Sequence, residues 1–161
     1  MKRLILVRHG KSSWEQRLPD HERPLKERAY KDAEVVFRTY NMSQNKPDVI
    51  WSSDAVRALE TAKIFKNKLQ IEDSDFFVKS RLYTFSKPDL KIQIESCDDS
   101  VNVLMVFGHN PAITELVNSL GDIYFENIPT TGLVILDFEV NTWKGLKKGK
   151  IILHLFPKNV R

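Results

Sequence analysis

Leu4-Ile5-Leu6-Val7-Arg8-His9-Gly10 is the stretch on which the reading of this chain turns. Four apolar residues in a row, without polar alternation, suit a strand buried on both faces of a sheet. Arg8 ends the run, which is too short for a signal peptide or a membrane span. His9-Gly10 then marks the exit of the strand into a loop. The pattern recurs at Val101 to Phe107, an apolar run closed by Gly108-His109.

Helical spacing fills the space between these strands. From Leu25, apolar residues fall at Ala29, Ala33, Val36, Phe37 and Tyr40 in steps that make one helix face, with Pro24 suited to the first turn. Asp48 to Ser53 reads as a strand. Ala55 to Leu69 reads as a helix with Leu59, Ala62, Phe65 and Leu69 inward. Ser86, Pro88 and Asp89 form a capping box ahead of Leu90 and Ile94.

After His109, Asn110 is placed to cap a helix that starts at Pro111, carries Ile113, Leu116, Val117 and Leu120 inward, and stops at Gly121. Gly132 to Val140 and Lys150 to Phe156 read as two strands joined by a Gly- and Lys-rich turn. The order predicts a three-layer α/β/α domain with a largely parallel central sheet, spanning residues 1–161 as one domain.

Composition narrows the function classes. The chain has 161 residues, 42% hydrophobic and 29% charged, which excludes a disordered chain. The net charge of +4 is concentrated at one end, because residues 141–161 contain Lys144, Lys147, Lys148, Lys150, Lys158 and Arg161 but no acid. A near-neutral body with a basic end is not a uniformly basic nucleic-acid binder, so no nucleic acid is expected. The single cysteine, Cys97, fits a reducing compartment and a bystander thiol. Together these features predict a soluble, cytoplasmic protein with no membrane contact.

His9 and His109 each follow a strand, and ligands of open α/β sheets bind beyond the carboxyl ends of strands, so both rings can reach one crevice. Arg8 adjoins His9, and Arg57 lies near the start of the helix after Trp51-Ser52-Ser53. The helix start at Asn110-Pro111 is expected to turn its free amides toward the same crevice. Guanidinium forks and helix N-termini both match the oxygens of a transferring phosphoryl group.

These residues carry a resemblance. Leu6-Val7-Arg8-His9-Gly10 resembles the R-H-G signature of the histidine phosphatase superfamily, which includes the cofactor-dependent phosphoglycerate mutases. The segment from Ser53 to Ala62, with Arg57-Ala58 and Thr61, is similar to its S-x-x-x-R-A-x-x-T helix start, and Val106 to Pro111 to its second-histidine strand exit. Arg8 to Trp14, His21-Glu22-Arg23-Pro24-Leu25 and Pro129-Thr130-Thr131-Gly132 resemble the compact phosphohistidine phosphatases of the SixA type.

The resemblance implies a phosphoglycerate mutase-like fold and a metal-independent phosphatase without cofactor. His9 would be the nucleophile that forms a phosphohistidine intermediate. Arg8, Arg57 and His109 would bind the phosphoryl oxygens, with Arg23 as a further cation. Many relatives that hydrolyse esters place a Glu in the region held here by Arg81-Leu82-Tyr83-Thr84-Phe85, which has no carboxylate. An alkoxide leaving group needs a proton, whereas imidazole leaves readily. The gap therefore favours phosphohistidine on proteins, with His109, Asp20 and Glu22 as candidate general acids.

Other readings stay open at this point. One is a small-molecule phosphomonoesterase of the same superfamily, acting on a small phosphorylated substrate. Another is a non-catalytic module that binds phosphate or a partner, for which the basic Lys144 to Lys150 hairpin would serve. A metal hydrolase lacks its H-E-x-x-H, since Leu25 stands where a second His would follow His21-Glu22. Gly145 to Lys150 has the wrong spacing for a phosphate loop and reads as a solvated hairpin turn. His154 sits in an apolar run and reads as structural, while Trp14 either packs beside the first motif or lines the pocket mouth. Oligomeric state does not follow from the sequence.

Overall fold

The computed structural model describes residues 1–43 and 46–161. Strand β1 (Lys2–Arg8) lies inside a six-stranded sheet, between β4 (Val103–Gly108), parallel to it, and β5 (Leu133–Phe138), antiparallel. The full order is β3-β2-β4-β1-β5-β6, completed by β2 (Val49–Ser52), β3 (Phe76–Val78) and β6 (Lys150–Leu155). β1 to β4 run parallel in their pairs, and β5 alone runs against the rest.

The uninterrupted apolar run of β1 is explained by two cores. Leu4 and Leu6 point to one face and Ile5 and Val7 to the other, as a period of two requires. On the first face they meet α3 (Lys87–Glu95), through Leu90 and Ile94, and α4 (Ala112–Leu120), through Ile113, Leu116 and Leu120. On the second they meet α1 (Glu27–Ser43), through Ala33, Val36 and Tyr40, and α2 (Val56–Leu69), through Ala62 and Phe65. The last turn, α5 (Pro157–Val160), packs against α1. This is the three-layer α/β/α arrangement.

Three local expectations are corrected. α1 begins at Glu27, because Leu25 is spent on an extended bridge to Ser12 and Lys26 N–H donates to the Lys11 carbonyl at 2.8 Å. Pro24 therefore precedes the helix. In α2 the inward residues include Ala58 and Thr61, and Leu59 is only half-buried. The connection between β5 and β6 exposes Gly145, Lys147 and Lys148 as a solvated turn does, but it is also anchored in the core. Trp143 is fully buried there, its indole N–H donating to the Val101 carbonyl at 2.8 Å, and Leu146 is buried beside it.

Register is what positions the site. Arg8 pairs with Gly108 across β1 and β4, and Ser52 pairs with Phe107 across β2 and β4. His9, His109 and Ser53 therefore leave three adjacent strands at the same end. Among the described residues, no helix is long and apolar enough to cross a membrane.

Candidate active site

His9 leaves β1 with its backbone N–H still donating to the Gly108 carbonyl at 3.1 Å, so the ring starts from a fixed backbone. The side chain is buried. Nδ1 lies 2.7 Å from the Gly10 carbonyl, an oxygen that can only accept, so Nδ1 carries the proton. Nε2 lies 3.3 Å from Arg57 Nε, which can only donate, so Nε2 presents its lone pair. Burial, aided by the charges of Arg57, Arg8 and Arg23 and opposed by the Gly10 hydrogen bond, pushes the ring pKa down to about 3.

Gly10 is required by close approach. A Cβ there would stand 2.8 Å from the Ala29 Cβ of α1. The Gly10 N–H donates to Thr61 Oγ1 at 2.9 Å, and that hydroxyl donates to the Arg57 carbonyl at 2.7 Å. The loop after β1 is thereby tied to the helix that carries Arg57. Thr131 ties it from the other side. Its N–H lies 3.0 Å from both the Arg8 and His9 carbonyls, held by a left-handed backbone with φ of 61°. That conformation is uncommon for a β-branched residue.

His109 sits behind His9, its ring centroid 5.2 Å away. Its Nδ1 faces the donor Arg57 Nη2 at 3.4 Å, so its Nε2 carries the proton and donates to Ser53 Oγ at 2.8 Å. Burial, then the neighbouring His9 and Arg57, lowers this ring to about 3 as well. Both imidazoles are neutral at physiological pH. Tyr83 and Phe85 cover His109 edge-on, with centroids at 5.3 and 5.6 Å.

Arg57 and Arg23 are buried, and Arg8 is anchored by its Nη1 to the Ile128 carbonyl at 2.9 Å. Arg23 donates to Ser12 Oγ and stacks on the Trp14 indole, its guanidinium carbon 3.5 Å from the ring centroid. Trp14 is largely exposed at the mouth of the cleft, so it does both things its position allowed. Asp20 joins the two arginines, with Oδ1 2.9 Å from Arg23 Nη2 and Oδ2 2.9 Å from Arg57 Nη2. The cleft among Arg8, His9, Asp20, Arg23, Arg57 and Phe85 has a volume of about 340 Å³.

The structure brings together Arg8, His9, Arg23, Arg57, His109 and Asp20. Glu22 is not among them, being exposed and outside the cleft lining. Asp20 reaches the site but as an ionised group. Its partial burial works to raise the carboxyl, yet hydrogen bonds from Tyr83, Arg23 and Arg57 outweigh it and hold it well below the usual carboxylate range. The amides at the start of α4 do not serve the crevice as expected. Thr114 N–H goes to Asn110 Oδ1 at 3.1 Å, and Ile113 and Glu115 donate to the His109 and Pro111 carbonyls. Asn110 caps that helix from one position further out, because α4 begins at Ala112.

Comparison with known proteins agrees with this arrangement. Residues 4–77 match the family model of the histidine phosphatase superfamily, branch 1. Over that stretch, which holds Arg8, His9, Arg23 and Arg57, the chain is similar to the histidine phosphatase superfamily. An uncharacterised chloroplastic protein of Arabidopsis thaliana is 29% identical over 153 residues, covering 89% of this chain and 69% of that one.

Among solved structures, a protein of Agrobacterium tumefaciens assigned as a phosphohistidine phosphatase SixA superposes with a TM-score of 0.77 at 24% identity, over 96% of this chain and 97% of that one. The protein histidine phosphatase SixA complexed with tungstate gives 0.79 at 16% identity, over 99% of each. At these identities the likeness is one of fold. The chain thus has the phosphoglycerate mutase-like fold of those structures.

Sequence reasoning missed roles for four residues near the two rings. Ser53 and Thr61 stand in quoted motifs, but their bonds to His109 and Gly10 depend on strand register and helix packing. Tyr83 and Phe85 come from a segment singled out only for lacking a carboxylate. Tyr83 brings a carboxylate there after all, its hydroxyl donating to Asp20 Oδ2 at 2.6 Å.

Proposed function

We propose that this protein is a metal-independent phosphatase that passes a phosphoryl group through His9 and acts on phosphohistidine presented by other proteins. The observation that carries the reading is the unprotonated Nε2 of the neutral His9 ring, held by Arg57 Nε–H beside a cleft edged by Arg8, Arg23 and Arg57. The Nε2 lone pair forms a bond to phosphorus as the P–N bond of the substrate breaks, and the departing imidazole, already protonated on its second nitrogen, leaves as a neutral ring. Water then attacks the phosphorus, the His9–phosphorus bond breaks, and inorganic phosphate leaves.

Arg8, Arg57 and Arg23 would stabilise the three phosphoryl oxygens, and fixed cations of this kind need no reorganisation as charge develops. His109, held by Ser53, becomes a further donor once a bound dianion offsets the burial and the arginine charges that keep its ring neutral.

The leaving group follows from the proton inventory. Asp20 is held ionised, Glu22 stands outside the cleft, and His109 spends its proton on Ser53. None of the three offers a proton to an alkoxide in the resting site, so a substrate whose leaving group is imidazole suits it best. The relative that carries tungstate is named a protein histidine phosphatase, which supports the same choice.

The test offers a phosphohistidine-bearing protein and simple phosphate monoesters to the enzyme in EDTA. Turnover that persists in chelator and prefers the N–P substrate is expected. Loss of turnover on chelation contradicts metal independence, and activity on esters alone assigns the protein to the small-molecule phosphomonoesterases.

A further inference from the structure

We propose that Asp20 is an internal competitor for the phosphoryl group, occupying in the resting enzyme the arginine pair that a phosphate must claim. The inference rests on the phosphatase reading above and concerns how that site is filled and emptied. Asp20 Oδ1 takes Arg23 Nη2 at 2.9 Å and Nε at 3.3 Å. Asp20 Oδ2 takes Arg57 Nη2 at 2.9 Å, and its backbone carbonyl takes Arg57 Nη1 at 2.6 Å. The remaining Nε–H of Arg57 caps the lone pair of His9 Nε2.

Four of the five N–H bonds of Arg57 thus have partners before any ligand arrives. A carboxylate and a phosphoryl face both present paired anionic oxygens to a guanidinium fork, so the two compete for the same donors. They do not share them easily, since like charges at such range repel.

Burial decides which partner moves. The side chain of Asp20 is 42% accessible, whereas those of Arg57 and Arg23 are 3% and 7% accessible. Rotation of one carboxylate into water is a small motion, and the backbone carbonyl of Asp20 can keep its hold on Arg57 meanwhile. The turn carrying it, Asp20–Glu22, stays fixed through His21 Nε2, 2.9 Å from Asp54 Oδ1. When phosphate leaves, the returning carboxylate spares two buried guanidinium groups from standing unpaired, a state that is costly in a low-dielectric site. Tyr83 holds the carboxylate ready through its hydroxyl.

The test is calorimetric titration of the full chain with inorganic phosphate at constant ionic strength, comparing wild type with Asp20→Asn and Tyr83→Phe. Asp20→Asn keeps the shape and removes the charge, so it is expected to bind phosphate about tenfold more tightly, a change of one decade in Kd. Tyr83→Phe loosens the carboxylate without removing it and is expected to fall between the two. It also serves if Asp20→Asn does not fold. Measurable phosphate binding that is equal or weaker in the variants overturns the competitor role and makes Asp20 a positioning residue for the arginines. Absence of phosphate binding in all three proteins overturns the phosphatase reading, and this inference with it.

Discussion

An imidazole on a protein surface titrates near 6.5, and half of it would be lost to protonation there. Burying His9 against three guanidinium groups removes that loss, because the charged ring would be poorly solvated and repelled. The Gly10 carbonyl then selects the tautomer. Nitrogen-15 NMR across pH is expected to show His9 neutral, with its proton on Nδ1, down to about pH 4. A midpoint near 6.5 would contradict the burial argument. The same shift makes stability depend on pH with a definite sign. The folded pKa lies below the unfolded value, so the unfolded chain binds more protons between them, and stability is lost as pH falls from about 6.5 toward 3. Arg8, His9, Arg57 and His109 were legible one by one because each adjoins a strand exit or helix start. The state of Asp20 was not, since it depends on Arg23, Arg57 and Tyr83 arriving from three separate segments.

Strands and helices that bury a whole face announced themselves, and the segments that connect them did not. Leu4 to Val7 and Val103 to Phe107 read as buried strands because both faces of the sheet are covered. That Arg8 would stand level with Gly108 is a property of pairing, which local pattern does not encode. The start of α1 was misplaced by two residues for a related reason: Leu25 is apolar and in phase with the helix, but tertiary pairing with Ser12 claims its backbone. Lysines and glycines likewise masked the Trp143 anchor between β5 and β6. Trp143 fills space beside Val101 at the start of β4, the end of the sheet opposite His109. Trp143→Ala is expected to cost about 3–5 kcal/mol in a urea unfolding titration. Phosphate affinity of the folded fraction should be unchanged, and a large change in it would show that the two ends of the sheet are coupled.

For the molecule as a whole, the basic stretch and the arginine cleft are separate features. Lys144, Lys147 and Lys148 are exposed on the connection anchored by Trp143, far along β4 from the cleft lined by Arg8, Arg23 and Arg57. A module that only bound an acidic partner through those lysines would have no use for a neutral imidazole buried among arginines at the other end. The proposed mechanism is one in which a neutral ring accepts a phosphoryl group and gives it to water. Its most direct test is rapid acid-free quenching of the enzyme during turnover of a phosphohistidine substrate, followed by peptide mapping. A phosphoryl group that is stable in base, labile in acid and attached to His9 is the expected result, with none formed in His9→Ala. Turnover by His9→Ala at the wild-type rate, or a phosphoryl group trapped on another residue, would contradict the account.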